Sequence, residues 1–171
     1  MIGERVMSSS VVAVIVLSAW LGAAILAAAV VAPAAFAVLP TRSLAGALVG
    51  RVLPVLFYGG AAAGVVAALL GRPGTASAAR LVAGAVMVGT CLAAQLLVAP
   101  RIERVRAAVG GPIDQLAAGD PRRTAFGRLH GASVMLLGMA AVAGGAALVL
   151  TLRAMAVAGT TREISNSLSE H

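Results

Sequence analysis

Four stretches of this chain carry no charged residue and are each long enough to cross a lipid bilayer: residues 11–39, 52–71, 81–100 and 131–152. A helix needs roughly 20 apolar residues to cross the ~30 Å hydrocarbon core. In water, runs of this kind would expose more contiguous apolar surface than soluble proteins carry. The chain therefore reads as an integral membrane protein, all-α and polytopic, with four transmembrane helices in an antiparallel bundle. The spans are expected at about 11–39, 52–71, 79–100 and 129–153, inside a membrane domain of residues 11–157. Residues 1–10 read as a polar start, and 158–171 as a disordered tail.

Composition agrees. Of 171 residues, 60% are hydrophobic and 11% charged, with mean hydropathy +1.00; soluble domains carry about 25% charged residues. Little chain is left for a separate soluble domain. All 13 basic residues are arginine and the net charge is +7. No aromatic–basic nucleic-acid motif accompanies them, so the expected partners are the bilayer and its anionic headgroups. The single thiol, Cys91, leaves the redox compartment undetermined. Arg5 and the small-x-small pattern Ala35-Phe36-Ala37 imitate a signal peptide. The 29-residue first run is too long for a secretory core of about 7–15 residues, so an uncleaved span is expected.

Punctuation along the chain sets the element boundaries. Pro33 should kink the first span, and Pro40 should end it. Leu44, Leu48 and Val52 recur at helical spacing beside Arg42 and Arg51, which fits an interfacial helix or a lead-in to the second span. Pro54 is expected in the first turn of that span. Arg72-Pro73-Gly74 reads as a turn. The third span can continue through residues 101–109, where Glu103 and Arg106 pair at i,i+3, until Gly110-Gly111-Pro112 stops it. Asp120-Pro121 reads as an N-cap and first helical position for the fourth helix. Gly60-x-x-x-Gly64 and Ala140-x-x-x-Gly144 are small-xxx-small patterns, suited to internal helix packing or to a homo-oligomer.

Arginines bias the orientation. The loops after spans one and three hold Arg42, Arg51, Arg101, Arg104, Arg106, Arg122, Arg123 and Arg128; the other side holds Arg5, Arg72, Arg80, Arg153 and Arg162. The positive-inside rule then places both termini outside the cytoplasm, in a bacterial inner membrane.

Few residues carry chemistry. No nucleophile–base pair, zinc motif, phosphate loop or intramembrane carboxylate is present, which points away from an enzyme and from a proton pump. His130, followed by Gly131-Ala132-Ser133, sits where the fourth helix meets the membrane and could ligate heme or copper, or titrate near neutral pH. Met87, Cys91 and Gln95 fall at i, i+4, i+8, and Met135 and Met139 at i, i+4 on the next span; thiolate and thioether suit copper(I). The motifs by themselves call for no cofactor, with copper and heme as the two alternatives. The basic rim could hold an anionic substrate or lipid. Trp20 and Tyr58 read as packing or interface residues.

The order of several short motifs resembles a known family: Leu17-Ser18-Ala19-Trp20-Leu21-Gly22, Phe36-Ala37-Val38-Leu39-Pro40, Gly50-Arg51, Leu53-Pro54-Val55-Leu56-Phe57-Tyr58, Pro100-Arg101-Ile102, and Phe126-x-x-x-His130-Gly131-x-Ser133. The chain resembles small four-helix membrane proteins whose domain has no known function. Their eukaryotic member is linked to cisplatin resistance, and they are similar at a distance to copper resistance protein D. The resemblance implies four transmembrane helices and draws attention to Trp20, Arg51, Pro54, Pro100 and His130; Arg101 and Ser133 are further functional candidates. Metal-ion or small-solute handling is the function it implies. An accessory subunit of a larger membrane complex, packed through Gly/Ala faces, and a heme protein using His130 are the rival readings.

Overall fold

The four apolar runs form four helical rods in the computed structural model, which describes residues 2–70 and 77–169, with side chains over 9–70 and 78–161. The first rod is α1 (Ile2–Leu26), a π-helical stretch (Ala27–Val31) and α2 (Ala32–Val38). The second is α3 (Arg42–Leu69). The third is α4 (Ser77–Leu92), a second π-helical stretch (Ala93–Val98) and α5 (Ala99–Val109). The fourth is α6 (Pro121–Ser169). Each rod contains a stretch long and apolar enough to span a membrane. α1 packs on α3 and α6, and α4 packs on the same two, so the rods stand as a four-helix bundle. Its outer face keeps large apolar side chains uncovered, among them Val38, Val55, Leu69 and Val142. That surface suits lipid.

Prolines are accommodated inside the rods. Each π stretch directly precedes a proline, Pro33 or Pro100, in the first turn of the next helix. Proline supplies no N–H and its ring crowds the carbonyl four residues back. The wider turn bonds five residues back instead: Ala32 N–H reaches the Ala27 carbonyl, and Ala99 N–H the Ala94 carbonyl. The rods pass their prolines without ending. At Leu39 the backbone is extended (ψ 143°), as expected for a residue before a proline, and α2 stops there.

Three boundaries differ from the sequence expectation. Pro54 lies inside α3 rather than in its first turn. That helix begins at Arg42, where Thr41 Oγ1 accepts a bond from Leu44 N–H at 3.2 Å. The cap fixes the start upstream, so residues 42–53 are one continuous lead-in. At the chain ends, α1 already includes residues 2–10, and α6 runs to Ser169 through the segment expected to be disordered from 158. Extending an existing helix adds one bond per residue without a new nucleus, and no proline follows Pro121 to stop it. The turn expected at Arg72-Pro73-Gly74 lies outside the described residues.

The core is built on small residues. Trp20, Phe57, Met87 and Cys91 fill the centre, surrounded by Ala63, Ala67, Ala94, Ala140, Ala143 and Ala147. The indole N–H of Trp20 donates to the Leu56 carbonyl at 2.8 Å, tying α1 to α3. A Cβ at position 60 would lie 2.6 Å from Cys91 Sγ and 2.8 Å from the Trp20 ring. One at 84 would lie 2.8 Å from the Gly64 carbonyl, and one at 144 would lie 3.3 Å from Met87 Sδ. Both small-xxx-small patterns are thus used inside the bundle.

The start of α6 is held by Asp120. Its carboxylate accepts from the Arg122 backbone N–H at 2.8 Å and from the Arg122 guanidinium at 3.1 and 2.8 Å. The side-chain bonds from Arg122 hold the Asp120 carboxyl down at about 2. A depressed carboxylate stabilises the fold above its unfolded pKa, and that contribution is lost as pH falls through the folded value.

Two outcomes are expected. Gly64→Val should force α3 from α4 and cost roughly 1–3 kcal/mol, the usual range for overpacking. Gly89→Ala, with nothing near its Cβ, should leave stability within ~0.5 kcal/mol. Unfolding in mixed micelles measures both; equal effects would refute the glycine contact. In pH-resolved NMR the Arg122 amide should titrate with a midpoint near 2. A midpoint at the ordinary aspartate value of about 3.9 would show that the pair does not form.

Candidate functional site

At the end of the bundle that carries the α2–α3 and α5–α6 connections lies a cavity of about 500 Å³. Ligand pockets run roughly 300–1,000 Å³. Three helices supply most of its wall. From α3 come Arg42, Gly46, Gly50, Leu53, Pro54 and Phe57. The third rod gives Gln95, Ala99, Ile102, Glu103 and Arg106, and α6 gives Arg123, Phe126, Gly127, His130 and Ser133. Phe36 from α2, and Ile113 and Asp114 from the 3₁₀ turn (Ile113–Gln115), complete it.

Helical period explains why these residues converge. Arg123, Phe126, His130 and Ser133 fall at i, i+3, i+7 and i+10, one face of α6. At 1.5 Å per residue that face is about 15 Å long. Gln95, Ala99, Ile102 and Arg106 make a similar face on the third rod, across the π stretch. Ions gather toward the connections: Arg42, Arg106 and Arg123 against Glu103 and Asp114. Leu53, Pro54, Phe57 and Ala99 are apolar. Gln95 and Ser133, polar but uncharged, lie furthest along these faces from the connections.

Arg106, Phe126 and His130 form a column. The Arg106 guanidinium lies over the Phe126 ring, 5.5 Å from its centroid. Phe126 stacks on His130 with centroids 6.1 Å apart and planes 5° from parallel. Glu103 lies 3.6 Å from the Arg106 guanidinium, which also reaches the Gly46 carbonyl at 3.5 Å. Arg123 donates to the Leu116 carbonyl at 2.8 Å, fixing the preceding loop against α6. Deeper, the chemistry is unsatisfied. Gln95 Oε1 is buried with no hydrogen-bond partner. Ser133 is 5% exposed, and among the described residues neither it nor His130 has a hydrogen bond.

The residues singled out from the sequence separate into three places. His130 and Ser133 line the cavity. Trp20, Met87 and Cys91 belong to the core. Arg51 and Arg101 are exposed and line no part of the cavity; Arg101 folds back onto the Leu97 carbonyl at 2.6 Å. The soft-ligand set is not assembled. Met87 and Cys91 are fully buried, whereas Met135 is 70% and Met139 50% exposed on the lipid-facing side. The reason is angular. Ala140 is fully buried, so its neighbour Met139 is turned about 100° away from the core. Among the described residues no three His, Cys, Asp or Glu side chains come together as a metal site.

Two features escaped the sequence reading. Arg106, in the sequence a partner for Glu103 and one of the loop arginines, lies on the cavity face because of its spacing from Gln95, Ala99 and Ile102. Arg80, in the first turn of α4, is 2% exposed. Its charge in the sequence marks only orientation.

A family model described as a domain of unknown function, DUF4149, matches residues 15–110. No curated protein and no solved structure matches the chain. The matched segment takes in Trp20, the Gly60 and Gly84 contacts, and the α3 and α5 walls of the cavity. It stops before α6, so the His130 face lies beyond it. With more than half of its length inside that match, this four-helix membrane protein belongs to the DUF4149 family.

Proposed function

We propose that the protein is a non-enzymatic inner-membrane protein that handles a small solute, an organic anion held in the cavity at the arginine-bearing end of the bundle. One observation carries the reading: a cavity of about 500 Å³ that joins three arginines to an apolar interior. Arginine is always charged and presents several donors in a fixed fork, which suits carboxylates and phosphates. The apolar wall favours a solute with a hydrocarbon portion. The arginine bias of the loops supports a mouth on the cytoplasmic side with both termini outside.

The rival readings have less behind them. A copper site would need Met135 and Met139 turned inward. A heme would need an axial histidine, and His130 lies in the cavity wall stacked on Phe126, with no second histidine among the described residues to complete a bis-histidine site. A subunit interface built on Gly60 and Gly144 would compete with Trp20, Met87 and Cys91.

Decanoate binding to the protein in phosphatidylcholine nanodiscs tests the proposal, read as a thermal shift against ligand concentration. Charged hydrogen bonds contribute about 1.5–3 kcal/mol, so Arg106→Gln should weaken binding by roughly ten- to a hundredfold. Arg153→Gln, exposed at the opposite end, should leave affinity unchanged. No shift for the wild type, or equal losses in the two variants, would overturn the reading.

A further inference from the structure

The inner end of the cavity asks for something that an anion-binding mouth does not explain. Gln95 Oε1 is buried and unpartnered. Ser133 is nineteen-twentieths buried, lines the same cavity and makes no hydrogen bond among the described residues. In a helix, a serine hydroxyl commonly bonds back to the carbonyl four residues earlier. Thr90, Thr151 and Thr161 here do just that, to Val86, Ala147 and Val157. Ser133 does not. An amide oxygen left unpaired in a low-dielectric site is costly, and that cost is relieved by whatever fills the cavity; the Ser133 hydroxyl, on the same cavity wall, is free to bond the same occupant.

We propose that the solute is bipolar: an anionic group at Arg42, Arg106 and Arg123, a hydrocarbon middle along Leu53, Phe57 and the Phe126–His130 stack, and a distal hydroxyl that donates to Gln95 Oε1 and accepts from Ser133. This rests on the anion-binding reading above and adds the far end of the ligand. The dimensions agree. The α6 face from Arg123 to Ser133 is about 15 Å long. A carbon–carbon bond of ~1.5 Å advances an extended zig-zag by ~1.3 Å, so a chain of about ten carbons reaches ~11–12 Å, most of that length. Glu103 and Asp114 flank the mouth. Glu103 lies against Arg106, which leaves Arg42 and Arg123 as further cations for a single negative charge. A dianion would meet those carboxylates.

The decisive comparison is 10-hydroxydecanoate against undecanoate, which puts a methyl where the hydroxyl was. Hydrophobic transfer alone favours undecanoate. A site with paired donor and acceptor reverses that order, because the methyl leaves both protein groups unsatisfied. In nanodiscs the wild type should bind the hydroxy acid at least tenfold more tightly. The Gln95→Leu, Ser133→Ala double variant should prefer undecanoate. Gln95→Glu is a second probe that keeps an acceptor at that position, so its selectivity should persist while overall anion affinity falls. If undecanoate binds the wild type as well as the hydroxy acid, or if the preference survives in the Leu/Ala variant, the distal site is refuted while the anion mouth stands. If neither acid binds the wild type, the anion reading fails with it. A cavity that merely holds water would show no discrimination between the two.

Discussion

Close approach of helix backbones is the contact on which the rest of this bundle depends. Lipid tails are as apolar as leucine, so burying a leucine between helices gains little over leaving it in the bilayer. Association must come from packing too tight for lipid to match. Gly60 admits the Trp20 ring and the Cys91 sulfur, and Gly64 and Gly84 bring α3 and α4 to backbone contact. Trp20 then bridges to Leu56 through its indole N–H. One bulky side chain, one thioether and one thiol fill what the glycines leave open.

That packing also decides where a cavity can exist. At the centre Trp20, Phe57, Met87 and Cys91 fill what the surrounding alanines and glycines leave open. Toward the α2–α3 and α5–α6 connections the facing residues become arginine, phenylalanine, histidine and glutamine, which cannot interdigitate as small residues do. Arg106 does not withdraw to the surface but rests on Phe126, and Phe126 rests on His130. The π stretch at Ala93–Val98 carries the third rod past Pro100 and brings Gln95 and Arg106 to the same cavity. Irregular helix geometry and unsatisfied polar groups occur together here, as they often do at functional sites.

Much of this architecture was legible in the sequence, for a clear reason. Charge-free runs, Asp120-Pro121 as a helix start and Gly110 as a stop are local signals, and local hydrogen bonding enforces each of them. The left-handed Gly110 (φ 65°) ends α5 where the Gly-Gly-Pro run placed the stop. The candidate site was only partly legible. His130 and Ser133 stood out because polar residues are scarce at a membrane boundary. Arg106 did not, since its neighbours in space, Phe126 and Gly46, are distant in sequence. The methionine–cysteine stripe misled because spacing along one helix gives a face but not the direction in which that face points. Met139 and Ala140 are adjacent, and the core took the alanine.

By itself the sequence determined that this chain threads a bilayer as four helices, because backbone groups in hydrocarbon must be satisfied within each segment. Only the tertiary structure decided which side of each helix meets its neighbours. That choice turns on shape, on where a missing Cβ lets two backbones touch, and shape complementarity is a property of pairs of helices rather than of any one of them. It sends Met135 and Met139 to the lipid, Met87 and Cys91 to the core, and Gln95, Arg106, His130 and Ser133 to a shared cavity.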